Sequence, residues 1–333
     1  MDYKELRLTG SPAPHIRARE GTRHIMGEVL TALLPALGFA VYSFGWRPLV
    51  NTLVSVLGCV IFELLYRAVL KKSGDIGDLS AVVTGVLIAF ICPVTIPYWL
   101  LLTGDFFAII AVKQLFGGVG KNFLNPALAA RAFVFSWAKM TWVGPRTAVP
   151  LWGAVDAVSS PTPMALLHEG GLERLQEAYS LPEMLVGLVG GCIGEVSALM
   201  LLIGGVFLII RRIITWHIPV SYLGTVALLT FLFPRSNDPV QWMLCNLLGG
   251  GLLLGAIFMA TDYVTSPISR AGQLIYGAGC GVLTVLIRYF GPCGEGVCYA
   301  ILAMNLAARL IDRVCGPRRF GEDIRIWIWK RGR

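Results

Sequence analysis

The segment Ala154-Val-Asp-Ala-Val-Ser-Ser-Pro-Thr-Pro-Met164 is a polar interruption in a chain that is otherwise strongly hydrophobic. It lies in the longest break between hydrophobic runs, with about five such runs on either side. Hydrophobic residues make up 56% of the 333 residues and charged residues 14%, and the mean hydropathy is +0.69. Soluble domains carry about 25% charged residues. The composition therefore predicts a polytopic membrane protein.

The hydrophobic runs predict an all-α integral membrane protein with about ten transmembrane helices, since a helix needs about 20 apolar residues to cross a bilayer. The third, fourth and fifth runs are interrupted by proline or glycine at Pro93, Pro97, Gly117-Gly118 and Pro126. Such breaks are tolerated where the freed backbone groups are buried in protein or face a cavity. They indicate a scaffold around a binding site. The predicted spans are 26–45, 49–70, 79–96, 98–116, 123–138, 184–210, 218–234, 240–260, 266–290 and 297–314.

If the N-terminus lies inside, the inner ends of the predicted spans carry more lysine and arginine than the outer ends. An excess of these residues is typical of cytoplasmic loops. The inner segments would hold the Arg17–Arg23, Arg67–Lys72, Arg211–Arg212 and Arg318–Arg333 clusters together with Lys113, Lys121 and Arg270. Both termini are therefore predicted to be cytoplasmic, which places Thr162 outside. No cleavable signal peptide is predicted before the first run. The net charge of +8 is spread over these ends and forms no single patch for nucleic acid.

The two halves of the chain share short matches. Leu128-Ala-Ala-Arg131 recurs as Leu306-Ala-Ala-Arg309, each near a glycine-rich turn. Five spans in each half would make two inverted five-helix repeats, an architecture with its binding site at the repeat interface. The predicted division is a cytoplasmic N-terminal segment 1–25, a first repeat 26–138, an outer loop 139–183, a second repeat 184–315 and a cytoplasmic basic tail 316–333.

The segment Gly117-Gly-Val-Gly-Lys-Asn-Phe-Leu-Asn-Pro-Ala127 is the densest candidate binding element. Its glycines let the backbone approach a ligand closely, and Asn122 and Asn125 offer amide donors and acceptors. The position of Lys121 does not fit a Walker-type phosphate loop. A helix that begins near Pro126, capped by Asn125, would explain the same residues structurally. The functional alternative is hydrogen bonding to the edge of a flat polar heterocycle.

Ionisable residues within spans are costly to bury and indicate function. Glu63, Asp105 and Glu195 are the most central, and they are candidates for an ion path. Glu195 serves equally well as a polar contact between helices. The eight cysteines mostly lie within apolar runs as small buried hydrophobes. Cys293 and Cys298, in a glycine-rich loop, could form a disulfide or ligate a metal, but two cysteines alone predict no metal site.

Thr162 lies between two prolines. Pro161 fixes its own φ, and Pro163 biases Thr162 toward an extended conformation. The hydroxyl would thus be held on a stiff, exposed segment, as a modifying enzyme needs. By itself the pattern is more typical of an ordinary loop that contains proline and serine.

Nearly the whole chain resembles the family that comprises the D subunit of the Rnf ion-translocating electron-transport complex and the B subunit of the sodium-pumping NADH:quinone reductase. The resemblance rests on Ser11-Pro-Ala-Pro-His-Ile-Arg17, on Leu33-Leu-Pro-Ala-Leu37 and above all on Gly117–Leu128 leading into Ala130-Arg-Ala-Phe133. The compact N-terminus favours the Rnf member, because the quinone-reductase member usually carries a longer extension.

In that family an outer loop of the form Asp-x-x-(Ser/Thr)-Gly-Ala-(Ser/Thr) receives FMN, which a flavin transferase attaches by a phosphodiester to the last hydroxyl. Asp156, Ser159 and Thr162 match this motif, and Ser160 and Pro161 replace the usual Gly and Ala. The resemblance therefore implies covalent FMN on Thr162. It also implies a second, non-covalent flavin, which is riboflavin in the quinone-reductase relative. Its expected neighbours here are Gly118, Lys121, Asn122 and Asn125.

The resemblance implies an electron relay with no catalytic side chain, because the flavins carry the chemistry. Electrons would pass from a flavoprotein subunit outside through both flavins to an iron–sulfur subunit inside, coupled to Na⁺ or H⁺ movement across a prokaryotic cytoplasmic membrane. The implied partners are the A, B, C, E and G subunits of the Rnf complex, membrane lipid and the flavin transferase. The competing interpretations are a quinone-reductase B-type subunit, a channel or secondary transporter without redox chemistry, and a structural subunit whose flavin loop has decayed.

Overall fold

A computed structural model describes residues 21–71, 77–137, 162–187, 189–291 and 295–316. Asp156, Ser159, Cys293, the predicted basic tail beyond Gly316 and most of the predicted N-terminal segment lie outside the described residues. Within the described ranges the secondary structure is helical, apart from one isolated β-bridge between Pro93 and Cys192. The predicted all-α fold is confirmed.

Helices in the first half are α1 (Thr22–Phe44), α2 (Arg47–Val69), α3 (Ser80–Ile91), α4 (Tyr98–Phe106, continued as a π-helix over Phe107–Gln114) and α5 (Pro126–Trp137). Next along the described chain are α6 (Pro163–Ala178) and α7 (Leu181–Val186), followed by a 3₁₀ turn (Ile193–Glu195). The second half contains α8 (Ala198–Ile210), α9 (His217–Leu232), α10 (Pro239–Leu248), α11 (Leu252–Leu254, continued as a π-helix over Gly255–Met259), α12 (Arg270–Phe290) and α13 (Val297–Cys315).

In the described part of the chain, α1, α2 and α12 are each long and apolar enough to cross a membrane. The α10–α11 segment is a fourth candidate, bent by 61° at its break. Helices α3, α5, α8 and α9 are apolar but shorter, with 10–17 residues. At 1.5 Å per residue, a helix of about 16 residues is roughly 24 Å long, less than a hydrocarbon core of about 30 Å. The count of ten spans stays a prediction.

Two of the predicted spans are broken where the sequence indicated continuous helices. Within the 184–210 run, α7 ends at Gly187, which has a φ of 114°. The next α-helix, α8, begins only after its N-cap residue Ser197. The 240–260 run breaks at Gly250 and Gly251, with φ values of 69° and 64° that favour glycine. Glycine leaves the mean hydropathy of a run almost unchanged. The hydropathy of the two predicted spans therefore gives no sign of either helix break.

Close packing of the helices depends on glycine at three helix pairs. A Cβ added to Gly85 of α3 would lie 2.8 Å from the backbone of α2, and one added to Gly281 of α12 would lie 2.7 Å from Thr225 of α9. A Cβ on Gly204 of α8 would lie 2.3 Å from the Ala32 carbonyl oxygen of α1. Small residues allow such close approach between membrane helices, where packing rather than water exclusion drives association.

Replacement of Gly204 by alanine is expected to lower the free energy of unfolding by about 1–3 kcal/mol, because the added methyl overpacks the contact with α1. Gly224→Ala is the matched control, since a Cβ there would meet no atom within 4 Å and alanine is the better helix former. Reversible unfolding in detergent or bilayers measures both variants. Equal destabilisation by the two substitutions would contradict the close α1–α8 contact.

Candidate functional site

Two clefts lie near opposite ends of α12. One adjoins α6, which follows Thr162, and includes Arg288 and Tyr289 near the end of α12. The other includes Asp262, which precedes the start of α12 at Arg270. The 21 residues of α12 rise about 31 Å at 1.5 Å per residue, close to the thickness of a hydrocarbon core. The two clefts share no described lining residue.

Thr162 is the N-cap of α6, and its φ of −65° and ψ of 154° are extended, as the following proline predicted. Its Oγ1 accepts a hydrogen bond from the Ala165 amide at 3.1 Å. Pro163 occupies the first helical position. The residue is only partly exposed, so it caps a helix instead of lying on the exposed segment that the sequence suggested. The reason is local, because the first turn of α6 needs an acceptor for its free amides.

Helix α6 fixes this threonine to the membrane-embedded frame. Its buried residues Met164, Leu167 and Leu175 belong to one hydrophobic cluster with Trp242 and Cys245 of α10. This cluster is separate from the main core of the described chain. Thr162 is thus placed by the packing of the helix that follows it, and it is not left on an unattached loop.

A cleft opens between α6, α10 and α12. Aromatic side chains in its wall are fixed by hydrogen bonds: Trp242 Nε1 donates to Tyr289 Oη at 2.8 Å, and Tyr289 Oη donates to the Phe233 carbonyl at 2.8 Å. The guanidinium carbon of Arg235 lies 4.6 Å from the centroid of the Tyr289 ring. The described lining is Met164, Leu167, His168, Gly171, Arg235, Trp242, Asn246, Arg288 and Tyr289.

Arg288 supports the break between α10 and α11. It is 3% exposed, and it donates from Nη1 to the Asn246 carbonyl at 2.5 Å and from Nη2 to the Gly249 carbonyl at 2.9 Å. Carbonyls at a helix C-terminus lack intrahelical partners and carry partial negative charge. The arginine therefore satisfies backbone groups that would otherwise be buried without a donor.

The second cleft lies among α1, α3, α5, α8 and the residues in and after the second π-helix. Apolar side chains form most of its wall, including Met26, Val83, Leu208 and Phe258. Eight of the 22 described lining residues carry polar side chains. They are Ser80, Thr84, Lys113, Asn122, Asn125, Thr261, Asp262 and Tyr263.

Asn125 has the structural role that the sequence allowed. Its Oδ1 accepts from the Ala127 amide at 3.0 Å, which caps α5, and its Nδ2 donates to the Met259 carbonyl at 3.2 Å. Asn122 is buried and donates to the Leu124 carbonyl at 3.0 Å. Both asparagines line the second cleft. Gly118 and Lys121 are not among its lining residues, and Lys121 is exposed, with its side chain folded over Gly117.

The sequence places Lys113 among the charges of the inner side, whereas the structure buries it in the π-helix after α4, where it lines the second cleft. Its Nζ donates to Glu63 Oε2 at 2.8 Å and to Ser80 Oγ at 2.6 Å. Glu63 Oε1 also accepts from Arg67 at 2.6 Å and from Gln114 at 3.0 Å. The sequence contained a sign of this role, because the lysine lies inside the predicted span 98–116. Its partner could not be identified from the sequence, because Glu63 lies 50 residues away in the chain.

The three predicted ion-path carboxylates lie in different environments. Glu63 forms ion pairs with both Arg67 and Lys113. Asp105 instead accepts a hydrogen bond from Ser55 Oγ at 2.7 Å. Glu195 lies 3.9 Å from Arg131. Arg131 in turn pairs with Glu295. Among the described residues no hydrogen bond or ion pair joins Glu63, Asp105 and Glu195 to each other.

Replacement of Glu63 by leucine is expected to lower the free energy of unfolding by about 3–5 kcal/mol, because it leaves the Lys113 ammonium buried without its counterion. The double variant Glu63→Leu/Lys113→Met should recover most of that loss. Glu28→Gln is the control and should change stability little, since its partner Arg211 is half-exposed and water screens such pairs. Reversible unfolding measures all three variants. A double variant no more stable than Glu63→Leu would contradict a coupled pair.

Comparison with known proteins gives a consistent result along the chain. A profile of the NQR2, RnfD, RnfE family matches residues 9–321. The chain is 46% identical over 322 residues to the D subunit of the Na⁺-translocating ferredoxin:NAD⁺ oxidoreductase complex of Acetobacterium woodii, an alignment that covers 95% of this chain and 96% of that relative.

Two further relatives extend the similarity. The chain is 39% identical over 327 residues to the D subunit of the proton-translocating ferredoxin:NAD⁺ oxidoreductase complex of Clostridium ljungdahlii, covering 94% of this chain and 96% of the relative. It is 37% identical over 334 residues to the D subunit of the ion-translocating oxidoreductase complex of Stutzerimonas stutzeri, covering 92% and 94%. The matched region contains both clefts, Thr162 and the Gly117–Leu128 motif. The chain therefore belongs to the NQR2, RnfD, RnfE family of membrane proteins.

Proposed function

We propose that the chain is the D subunit of an ion-translocating ferredoxin:NAD⁺ oxidoreductase complex, with FMN attached to Thr162 and a second flavin, riboflavin, in the cleft at Asn122 and Asn125. The observation that carries this proposal is the similarity over 94–95% of the chain to two relatives named as the D subunit of ferredoxin:NAD⁺ oxidoreductase complexes. A third relative, similar over 92% of the chain, is named as the D subunit of an ion-translocating oxidoreductase complex. One of these relatives is named for Na⁺ and another for protons. The transported ion is therefore Na⁺ or H⁺, and transport into vesicles with and without Na⁺ decides between them.

The first cleft fits the phosphodiester of an attached FMN. Its described lining contains Arg235 and Arg288 and no carboxylate. Thr162 caps a helix whose N-terminus favours negative charge. Its Oγ1 would form the bond to phosphorus, and the packing of α6 would keep the attached group beside the cleft. Asp156 and Ser159 complete the recognition motif in the sequence for the flavin transferase.

The second cleft fits a flavin without a phosphate. Apolar walls suit a flat ring, and Asn122 and Asn125 offer amides at its edge. Lys113 adds a buried cation in the same wall. We propose Gly118 and Lys121, which do not line the cleft, as residues that lie next to this flavin site in the chain.

The flavins, when bound, supply the electron-transfer chemistry, and the chain supplies position, charge and exclusion of water. Thr162 lies two residues before Met164, which lines the first cleft, and Asn122 lines the second. Together with the lysine and arginine distribution, this supports a cytoplasmic-membrane protein with both termini inside, Thr162 outside and the Asn122 cleft facing the cytoplasm. Electrons would be exchanged outside with a flavoprotein subunit and inside with an iron–sulfur subunit.

Ion coupling and assembly complete the proposed function. Glu63, Asp105 and Glu195 remain the proposed ion-path residues, with Asp105 and Glu195 less fully paired than Glu63. Exposed apolar residues such as Leu53, Leu228 and Leu310 suit contact with lipid or with the rest of the complex. The proposed partners are the A, B, C, E and G subunits.

Attachment at Thr162 predicts flavin fluorescence from the denatured chain on a gel after co-expression with a flavin transferase. Thr162→Ala should remove the signal, because the hydroxyl that forms the phosphodiester is gone. Thr162→Ser and Ser160→Ala should keep it, since each leaves a hydroxyl at position 162. An unlabelled parent chain would refute the covalent flavin, and a label that survives Thr162→Ala would move the site to Ser159 or Ser160.

The second flavin predicts a different response. Asn122→Leu should weaken retention of acid-extractable flavin by about 1–3 kcal/mol, roughly 5- to 150-fold in Kd, because a hydrogen-bonding amide in the cleft is lost. The in-gel fluorescence of the covalent flavin should not change. Lys121→Gln is the control, since Lys121 is exposed and does not line the cleft. Equal flavin content in all three proteins would place the second flavin elsewhere.

A further inference from the structure

Asp105 is a fully buried aspartate at a point where three helices meet. It lies in α4, two positions before that helix continues as a π-helix, and π-helical turns are frequent at functional sites. The residue is 0% exposed. Its Oδ1 lies 2.7 Å from Ser55 Oγ of α2, and that hydroxyl oxygen lies 2.9 Å from the Gly85 carbonyl oxygen of α3. A chain of three oxygen atoms therefore connects α4, α2 and α3.

Among the described residues no cation is paired with this carboxyl group. The elements that pack against α4 are α2, α3, α5 and the π-helix that follows it. Lys113 pairs with Glu63, and Arg131 pairs with Glu295. The titratable residues of these elements and of the residue that ends α3 are Arg47, Cys59, Glu63, Tyr66, Arg67, Cys92, Lys113 and Arg131.

The polar side chains next to Asp105 are uncharged. They are the Ser55 hydroxyl and the Cys59 thiol. The other carboxyl oxygen, Oδ2, is buried and has no hydrogen-bond partner among the described residues. A buried carboxylate in such a place is strongly unfavourable, because it has lost its hydration and gained no opposite charge in exchange.

One added proton satisfies the whole chain of oxygen atoms. Ser55 has a single hydroxyl hydrogen, so it cannot donate to Gly85 and to Asp105 at once. When Asp105 is protonated, its O–H donates to Ser55 Oγ, and Ser55 donates to the Gly85 carbonyl. Each hydrogen then has an acceptor, and no charge is buried. When Asp105 is ionised, Ser55 has to turn toward it, and the negative charge has only a hydroxyl and a thiol beside it.

The surroundings of Asp105 Oδ2 do not suit a metal cation. A Cβ added to Gly58 would lie 3.0 Å from Oδ2 and 2.7 Å from Leu102 Cδ2, so even a methyl group does not fit there without a shift of its neighbours. The thiol of Cys59 is the nearby polar group on α2 besides Ser55, whereas hard cations such as Na⁺ take oxygen ligands. A proton needs neither additional space nor further ligands.

We propose that Asp105 is a proton-binding site, and that the ion it takes in the ion path is H⁺ and not Na⁺. The proposal rests on the proposed function, which places Asp105 in the ion path, and it adds the identity of the ion. On binding, a carboxylate oxygen forms an O–H bond with a proton from water, and on release the proton returns to water. Nothing is oxidised or reduced. Release leaves a charge behind, so α2 and α4 have to separate enough for water to reach Asp105.

Infrared spectroscopy of the full-length chain in nanodiscs at neutral pH measures this proton directly, because a protonated carboxyl group has a C=O stretching band that a carboxylate lacks. Asp105→Asn should remove one such band from the parent spectrum. Ser55→Ala should shift the band to higher frequency, because the acid loses the acceptor of its hydrogen bond. Exchange of K⁺ for Na⁺ in the buffer should leave the band in place.

Asp238→Asn and Ser43→Ala are the matched controls. Asp238 is the partly exposed N-cap of α10, and asparagine caps a helix as well as aspartate does. Ser43 is buried, and its hydroxyl has no hydrogen-bond partner within the described ranges. Neither substitution should remove or shift the band.

The infrared outcomes concern the proton site alone, since the measurement needs no flavin and no partner subunit. A parent spectrum without a band that depends on Asp105 would overturn the proposal, and so would a band that Na⁺ removes. Both results leave the ferredoxin:NAD⁺ assignment intact. If Asp105→Asn fails to fold, Ser55→Ala decides, because an unshifted band would show that no protonated carboxyl group is bonded to Ser55.

Ion transport by the reconstituted complex tests the role of the bound proton. Asp105→Asn should lose transport driven by ferredoxin oxidation while it retains the flavin content of the parent, and Asp238→Asn should keep both. Transport by Asp105→Asn equal to that of the parent would overturn the place of Asp105 in the ion path. A parent complex without ferredoxin:NAD⁺ activity would instead overturn the proposed function.

Discussion

Backbone groups freed where helices break must find donors and acceptors inside the protein, and the rest of this structure depends on that constraint. Arg288 donates to the Asn246 and Gly249 carbonyls where α10 ends. Asn125 caps α5 and reaches the Met259 carbonyl at the end of the second π-helix. Each of these side chains is buried, and each would be costly to bury without the backbone partner that it satisfies.

The same constraint explains why the candidate sites lie where they do. A polar side chain that supports a break has hydrogen-bonding or charge capacity beyond what the backbone uses, and the break itself leaves space beside it. Arg288 retains an unpartnered Nε beside the cleft that begins next to Thr162. Asn122 and Asn125 line the other cleft at the start of α5. In both places the residues proposed for ligand recognition also support the backbone, so variants need readouts that distinguish the two roles.

Much of the architecture could be predicted from local sequence, whereas several site residues could not. Pro163 predicted the extended conformation of Thr162, and Asn125 with Pro126 predicted the start of α5. The sequence places Lys113 among the charges of the inner side because a lone lysine near a span end resembles a topology signal, yet it is paired with Glu63 across 50 residues. The breaks at Gly187 and Gly250 were missed because glycine leaves an apolar run hydrophobic while its positive φ ends the helix.

The amino-acid sequence was enough to predict a helical membrane protein. It was also enough to locate several of the helix breaks and to identify the threonine that matches the flavin motif. These properties follow from composition, from proline and glycine geometry and from a local motif, all of which act over a few residues. The packing of the helices is needed to show that Arg288 lines the cleft beside Thr162. It also shows that Arg131 forms an ion pair with Glu295, 164 residues away, and that Glu63 pairs with both Arg67 and Lys113. Such pairings depend on which helices pack together, and no local pattern encodes that choice.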